Sequence, residues 1–313
     1  MSILFYCEGD DGQLLQTFRH RLPDHVIIDW SCERTEADPS DITAAIVWMP
    51  PVDFFDNTPR LQTVYAFSAG VDHLLLHTGL PSQATIVRLR DAGMAQQMAE
   101  YALYGVLHFQ RQMGLLRSAQ RQKHWAQDDI KAISAAHVRI GILGAGALGL
   151  QVAERMALNN YPVTCWSRSA RINEKVRCVN GEQALGDFLN SSDVLICLLP
   201  LTDATTGILN AGLFDQLPQG AFLINPGRGA HLVEQDLLDA LESGRLSGAL
   251  LDVFSLEPLP EEHPFWHHND IIITPHVAAQ SLVDESVDQV IESIRTIERG
   301  ELPDGVVDTQ RGY

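Results

Sequence analysis

Long apolar runs are missing from this chain. The longest uninterrupted one, "VLICLL", falls far short of the roughly 18 residues a membrane-crossing helix needs. Positive charge is also scarce: 22 Lys and Arg stand against 40 Asp and Glu, a formal net charge of −18. Binding to nucleic acid or to an anionic membrane depends on cations neutralising phosphates, so neither is an expected partner. Any anion the chain takes must be held by local positive charge against the global field. The five cysteines, Cys7, Cys32, Cys165, Cys178 and Cys197, are odd in number and dispersed, with no CxxC or CxxH spacing. That pattern predicts neither a disulfide framework nor a metal site, and it suits a reducing compartment. The N-terminal "MSILFYCEGDDG" has no basic stretch ahead of its short apolar run, as a secretory signal would, so the expected location is the cytoplasm. Repeats, low-complexity tracts and long flexible linkers are absent as well.

What is present is 313 residues, 45% of them hydrophobic, enough for two cores. The first part alternates short apolar runs with polar or helical segments: "ILFYC", "GQLLQTFRHRL", "HVIIDW", "AAIVW", "TVYAF" and "TIVRL". This is the pattern of a small parallel-sheet α/β domain. Helical spacing then runs through "DAGMAQQMAEYALYGVLHFQRQMGLLRSAQRQ", read as one long interdomain or subunit-contact helix. After it, "PVTCW", "VLICLLP", "AFLINP", "GALLDVF" and "IIITP" recur with helices between them, predicting a doubly wound sheet. The last helical stretch, "SLVDESVDQVIESIRTIERG", is apolar on one face and can return to pack on the first domain.

Within "ILGAGALG", Gly144, Gly146 and Gly149 form a GxGxxG directly after a predicted strand and at the opening of a helix. In a dinucleotide site the first glycine makes the tight turn and the second lets backbone approach the pyrophosphate. The third lets helix and strand pack closely, and the helix start through Ala147 and Leu148 donates N–H groups. The alternative is a purely structural glycine turn. About 20 residues on, an NAD site places Asp or Glu on the ribose hydroxyls; this chain has Ser167, Arg168 and Ser169. Arginine cannot accept a hydrogen bond, but its planar fork pairs with a phosphate and serine hydroxyls donate to the same oxygens. The residues therefore suit a 2′-phosphate and predict NADP(H), with NAD(H) as the weaker cofactor. A solvated surface arginine is the alternative.

Arg228 follows "AFLIN", Glu257 follows "GALLDVF" and His276 follows "IIITP", all at predicted carboxyl ends of strands, where open α/β sheets bind ligands. Reduction of a 2-keto acid needs a cation to hold the carboxylate and polarise the carbonyl, and a proton for the developing alkoxide. Arg228 suits the first task. His276 suits the second, with Glu257 favouring its charged form and orienting its ring. Taken singly, each has an ordinary reading as a loop, turn or structural residue.

Together, "FSAGVDHLL", "MAEYAL", "GILGAGALG", "WSRS", "LLPLT", "NPGRGA", "LDVFSLEPLP" and "TPHVAAQ" make the chain resemble the D-isomer specific 2-hydroxyacid dehydrogenase family over essentially its whole length. The closer likeness is to its glyoxylate/hydroxypyruvate reductase A branch. The resemblance implies two flavodoxin/Rossmann-like doubly wound domains, with the dinucleotide domain (96–280) inserted in a substrate domain (1–95 plus 281–313). It also implies a homodimer and NADPH-dependent reduction of glyoxylate to glycolate and of hydroxypyruvate to D-glycerate. Arg228 would bind substrate, His276 would be the acid/base next to the cofactor, and Glu257 its partner. The N–H groups of Ala69, Gly70 and Val71 can form an anion nest, to which the resemblance assigns the substrate carboxylate; an ordinary strand–helix turn is the alternative. Trp48 and Met49 end a strand and can restrict the substrate side chain, or Trp48 can be core. By position, Leu199 and Pro200 line the cofactor and Asn225 and Pro226 lead into the arginine loop; by resemblance, Asp252 accepts from the carboxamide. A formate dehydrogenase is disfavoured because that enzyme carries Gln where this chain has Glu257. A dinucleotide-sensing corepressor, which shares the fold, is the rival outside enzymology.

Overall fold

In the computed structural model, which describes residues 1–33 and 38–309, the chain divides into two compact units. One is Met1–Gly93 with the segment from Ser281 onward, and the other is Met94–Gln280. The first unit contains β1 (Ser2–Cys7), α1 (Gln13–Arg21), β2 (Val26–Asp29), β3 (Ile42–Trp48), β4 (Thr63–Ala66), α2 (Asp72–Leu75) and β5 (Thr85–Arg88). Its strands pair parallel in the order β2-β1-β3-β4-β5, the flavodoxin-like order. The C-terminal helix, Val283–Glu298, belongs to this unit. Its Val287, Val290, Ile291 and Ile294 recur at helical spacing and pack into one core with Ile3, Phe5 and Phe18. That single apolar stripe on an otherwise charged helix returns the end of the chain to its beginning.

The second unit runs α3 (Met94–Gln110), α4 (Met113–Arg121), β6 (Ile140–Leu143), α5 (Ala147–Leu158), β7 (Val163–Ser167), β8 (Arg177–Asn180), α6 (Glu182–Asn190) and β9 (Val194–Cys197). It continues with α7 (Ala211–Phe214), β10 (Ala221–Asn225), α8 (Glu234–Glu242), β11 (Leu246–Leu251) and β12 (Ile271–Ile273). The seven strands are parallel in the order β12-β11-β10-β9-β6-β7-β8. Uninterrupted apolar strands such as "VLIC" and "AFLIN" follow from burial on both faces: Val194 and Ile196 enter one core while Leu195 and Cys197 enter the other. The chain leaves β6 toward β7 on one side and later returns through β9 on its other side. The carboxyl ends of β6 and β9 therefore flank the topological switch point, where such sheets take ligands.

Two elements differ from the sequence reading. The expected long helix is broken into α3 and α4, with Gln112 between them in a left-handed conformation at φ 52°. Side chains on either side of the break are drawn to the following segment, Gln110 Nε2 donating to Ile133 O at 2.8 Å and Gln112 Nε2 to Lys131 O at 2.6 Å. The strand β8 has no counterpart among the predicted strands, because an edge strand reading "RCVN" shows no apolar run. Among the described residues no helix is long and apolar enough to cross a membrane.

Candidate active site

At the switch point each fingerprint glycine meets a different environment. Gly144 sits at φ +112°, and a Cβ there would lie 2.5 Å from Leu198 O. A Cβ on Gly149 would lie 1.9 Å from Gly144 O, so this position brings α5 onto the loop. A Cβ on Gly146 would have nothing within 4 Å. Nothing in the protein requires a glycine at 146, which is what closeness to a ligand predicts. Gly146 caps α5 without a side-chain hydrogen bond, and Gly146 and Ala147 are exposed, with Leu148 half-buried behind them. The first-turn N–H groups and the positive end of the helix dipole are thus available to an anion.

A paired test follows from this geometry. Gly149→Ala should cost about 1–3 kcal/mol or more of folding stability by overpacking, read by chemical denaturation. Gly146→Ala should leave stability within about 0.5 kcal/mol, as for an exposed position, yet weaken dinucleotide binding. Equal stability losses in the two would contradict the assignment.

Beside this loop β7 ends at Ser167. Its hydroxyl donates to Ser169 O at 2.8 Å and so closes a tight turn that carries Arg168 at its tip. Arg168 and Ser169 are exposed, and among the described residues Arg168 makes no hydrogen bond or ion pair. Leu199 and Pro200 follow β9, half-buried, with Pro200 O accepting from Thr205 Oγ1 at 2.7 Å.

The other half of the site lies on the consecutive strands β10, β11 and β12. Glu257 and His276 are brought together: His276 Nδ1 is 2.8 Å from Glu257 Oε2, while Glu257 Oε1 accepts from Phe254 N at 2.9 Å. Both carboxylate oxygens are therefore committed, and the ring is held by its Nδ1 edge with Nε2 turned away from the carboxylate. His276 has φ 54°, uncommon outside glycine. The buried Asp252 maintains it: Asp252 O accepts from His276 N at 2.8 Å, Oδ1 from Val277 N at 2.9 Å and Oδ2 from Ala278 N at 2.9 Å. Tyr101 donates to Thr274 Oγ1 at 2.7 Å, and Thr274 donates in turn to Asp252 Oδ1 at 2.6 Å. Burial pushes the Tyr101 phenol up, so it remains a donor. The Asp252 carboxylate, expected as an acceptor for a carboxamide, thus already accepts three bonds from the loop that carries His276, and its backbone carbonyl a fourth.

Arg228 stands in the loop after β10, its Nη1 donating to Gly227 O at 2.9 Å. Asn225 and Pro226 are buried. The Asn225 side chain does not face outward toward a cofactor: Oδ1 accepts from Gly227 N at 3.3 Å and Nδ2 donates to Arg228 O at 3.1 Å. A Cβ on Gly229 would lie 1.9 Å from Phe254 C, so the arginine loop is seated directly on the segment that leads to Glu257.

In the first unit, Trp48 is 41% exposed and Met49, at φ 48°, is 44% exposed. Trp48 is therefore not core, and the strained backbone at Met49 presents both apolar side chains at the carboxyl end of the sheet. The neighbouring β4 continues into Ser68–Val71, where Ser68 Oγ donates to Gly70 O at 2.8 Å. Among the described residues the N–H groups of Ala69, Gly70 and Val71 have no acceptor, as in an anion nest. Arg88 Nη1 donates to Ala69 O at 3.2 Å from beneath.

The family model for the NAD binding domain of D-isomer specific 2-hydroxyacid dehydrogenases matches residues 103–278. The chain belongs to the D-isomer specific 2-hydroxyacid dehydrogenase family. Over a 319-residue alignment covering all of both chains, it is 44% identical to a protein of Photorhabdus laumondii named glyoxylate/hydroxypyruvate reductase A. A D-isomer specific 2-hydroxyacid dehydrogenase from Xanthobacter autotrophicus Py2, solved with NADPH and MES, matches at TM-score 0.93 and 37% identity, covering all of this chain and 99% of that one. An NADPH-dependent glyoxylate/hydroxypyruvate reductase from Sinorhizobium meliloti, solved with NADP and sulfate, matches at TM-score 0.91 and 35% identity, with the same coverage.

The residues that sequence reading missed are those that support Arg228 and His276 through hydrogen bonds. Tyr101, Thr274 and His231 each make a hydrogen bond to a partner distant in the chain, to Thr274, Asp252 and Pro200 respectively. Of the stretches quoted for the family likeness, "MAEYAL" contains Tyr101 and "TPHVAAQ" begins at Thr274, while His231 lies just beyond "NPGRGA".

Proposed function

We propose that this dehydrogenase reduces glyoxylate to glycolate and hydroxypyruvate to D-glycerate with NADPH. The observation that carries the reading is the Glu257–His276 pair at 2.8 Å, beside a loop that presents Arg228. The nicotinamide supplies the hydride when it is bound. The protein's own task is to orient the keto acid and to manage one proton. Arg228 pairs with the carboxylate and with the carbonyl oxygen as charge develops on it, a role suited to a planar multi-donor cation. His276, with Nδ1–H donating to Glu257, presents Nε2–H to that oxygen and delivers the proton. In the reverse direction the neutral ring accepts it at the same atom. The exposed Trp48 and Met49 suit a small substrate side chain, and the Ala69–Val71 donors suit a carboxylate.

NADP(H) is favoured over NAD(H) because the exposed Arg168, on a turn shaped by Ser167 and Ser169, has no protein partner among the described residues. The deciding experiment is kcat/KM for glyoxylate with NADPH and with NADH, in wild type and in Arg168→Ala. The wild type should prefer NADPH. Losing a charge-assisted phosphate contact should cost about 10–100-fold with NADPH, in line with about 1.5–3 kcal/mol for a hydrogen bond to a charged group, and leave NADH nearly unchanged. An NADH preference in the wild type would make Arg168 a solvated surface residue.

A homodimer is part of the same proposal: Tyr104, Leu107, Met113, Leu115 and Trp125, on and just after α3 and α4, are exposed large apolar side chains in need of cover. The proposed location is the cytoplasm, in keeping with five unpaired cysteines.

A further inference from the structure

His231 has no role in the reaction as described above, yet it is fully buried and lies among groups that do. It sits three residues after Arg228 with 0% exposure. Its Nδ1 is 3.2 Å from the backbone N of Arg228, and its Nε2 is 3.3 Å from the carbonyl oxygen of Pro200. A backbone N–H can only donate, so Nδ1 is the acceptor. A carbonyl oxygen can only accept, so Nε2 carries the proton. The ring is thus neutral and held in one tautomer. The Cys197 thiol, 3.8 Å from Nδ1, is pushed up to about 12 by burial and brings no charge to it.

Resting on the reductase reading for the work of Arg228, we infer that His231 is a positioning residue joining the Leu199–Leu201 loop, proposed for the cofactor, to the arginine proposed for the substrate. Arg228 O accepts from Asn225 Nδ2 and also from the backbone N of His231. Both backbone groups of Arg228 therefore end on buried polar side chains, and His231 is the one that also reaches another loop. Pro200 O keeps its bond from Thr205 Oγ1 whatever happens at His231. Arg228 N donates to the imidazole, and this bond goes when Nδ1 is removed. A buried amide deprived of its acceptor moves or rehydrates, and a displacement of about 1 Å in a positioned catalytic group can cost about 100-fold. The substrate side should accordingly be the more sensitive of the two.

The two nitrogens can be tested separately. In His231→Asn the side-chain oxygen falls near the position of Nδ1, preserving the acceptor for Arg228 N while losing Pro200. In His231→Gln the amide nitrogen reaches toward the position of Nε2, preserving Pro200 while losing Arg228 N. The measurements are NADPH binding by fluorescence, binding of oxalate to the NADPH complex, and kcat and KM for glyoxylate. The Gln variant should bind oxalate about 30–100-fold more weakly and lose a similar factor in kcat/KM, with NADPH affinity within about threefold, as expected for a misplaced binding group. The Asn variant should hold oxalate affinity and kcat within about threefold while NADPH binding weakens, the pattern for a cation left in place. Equal effects of Asn and Gln on oxalate would mean that His231 only fills space, and would overturn the inference.

Should neither variant fold, exchange of the Arg228 amide in the wild type still decides: slow exchange supports the buried acceptor, and rapid exchange refutes it. A wild type that binds oxalate yet reduces no keto acid would refute the reductase reading, while the Asn/Gln contrast in oxalate binding would still test His231.

Discussion

Arg228→Ala should lower kcat/KM for glyoxylate by about 1,000-fold or more while NADPH affinity changes by less than threefold, since one donor to a developing oxyanion is worth about 100- to 1,000-fold and this fork presents more than one. A thousandfold is about 4 kcal/mol of transition-state stabilisation. The loss should divide between KM and kcat, because the guanidinium is proposed to bind the carboxylate in the ground state and the carbonyl oxygen more strongly as hydride arrives. Arg228→Lys should recover part of KM and little of kcat, since an ammonium keeps the charge but not the planar fork. The fold should survive either change: the loop is fixed by Asn225, His231 and the seat of Gly229 on Phe254, none of which uses the guanidinium. Steady-state kinetics with NADPH titrations would check this. Full turnover in the alanine variant would remove Arg228 from the site and leave the loop without a chemical purpose.

Much of this was legible in the amino-acid order, for a definite reason. The central strands of both sheets are buried on two faces, so they appear as apolar runs that no surface element imitates, and the glycine pattern marks the turn after β6. The residues proposed to act on ligands, Arg228, Glu257 and His276, stand shortly after such runs and could be located by counting from them. Edge elements and supports were harder. The sequence of β8 carries polar residues because one side has no strand to pair with, and the break at Gln112 depends on carbonyls at 131 and 133 that a local pattern cannot see. Asn225 was read as a cofactor contact from its position at the end of β10, although its amide is spent inside the arginine loop. Met49 gave no sign of its left-handed backbone beyond the two prolines that follow it. A hydrogen bond joining residues 101 and 274, or 200 and 231, is a property of the folded sheet, and no periodicity encodes it.

The proton should show itself in how the two directions of the reaction respond to pH. In the proposed mechanism reduction uses the imidazolium of His276, so its kcat/KM should fall as pH rises. Oxidation of glycolate or D-glycerate requires the neutral ring and should rise over the same interval. His276→Asn isolates the cause, because the shorter amide can occupy the position of Nδ1 and keep the bond to Glu257 while nothing replaces Nε2. The Asp252 bonds to the backbone at 276, 277 and 278 do not involve the imidazole, so the loop should hold. Turnover should drop about 1,000-fold, within the 100- to 10,000-fold range for a general acid, with NADPH affinity within threefold. The residual activity should have lost its opposite slopes. If those slopes persist in the Asn variant, the proton comes from another group and the Glu257–His276 pair only shapes the loop. If they vanish with the rate, the 2.8 Å contact between Nδ1 and Oε2 is what keeps the acid aimed at the substrate.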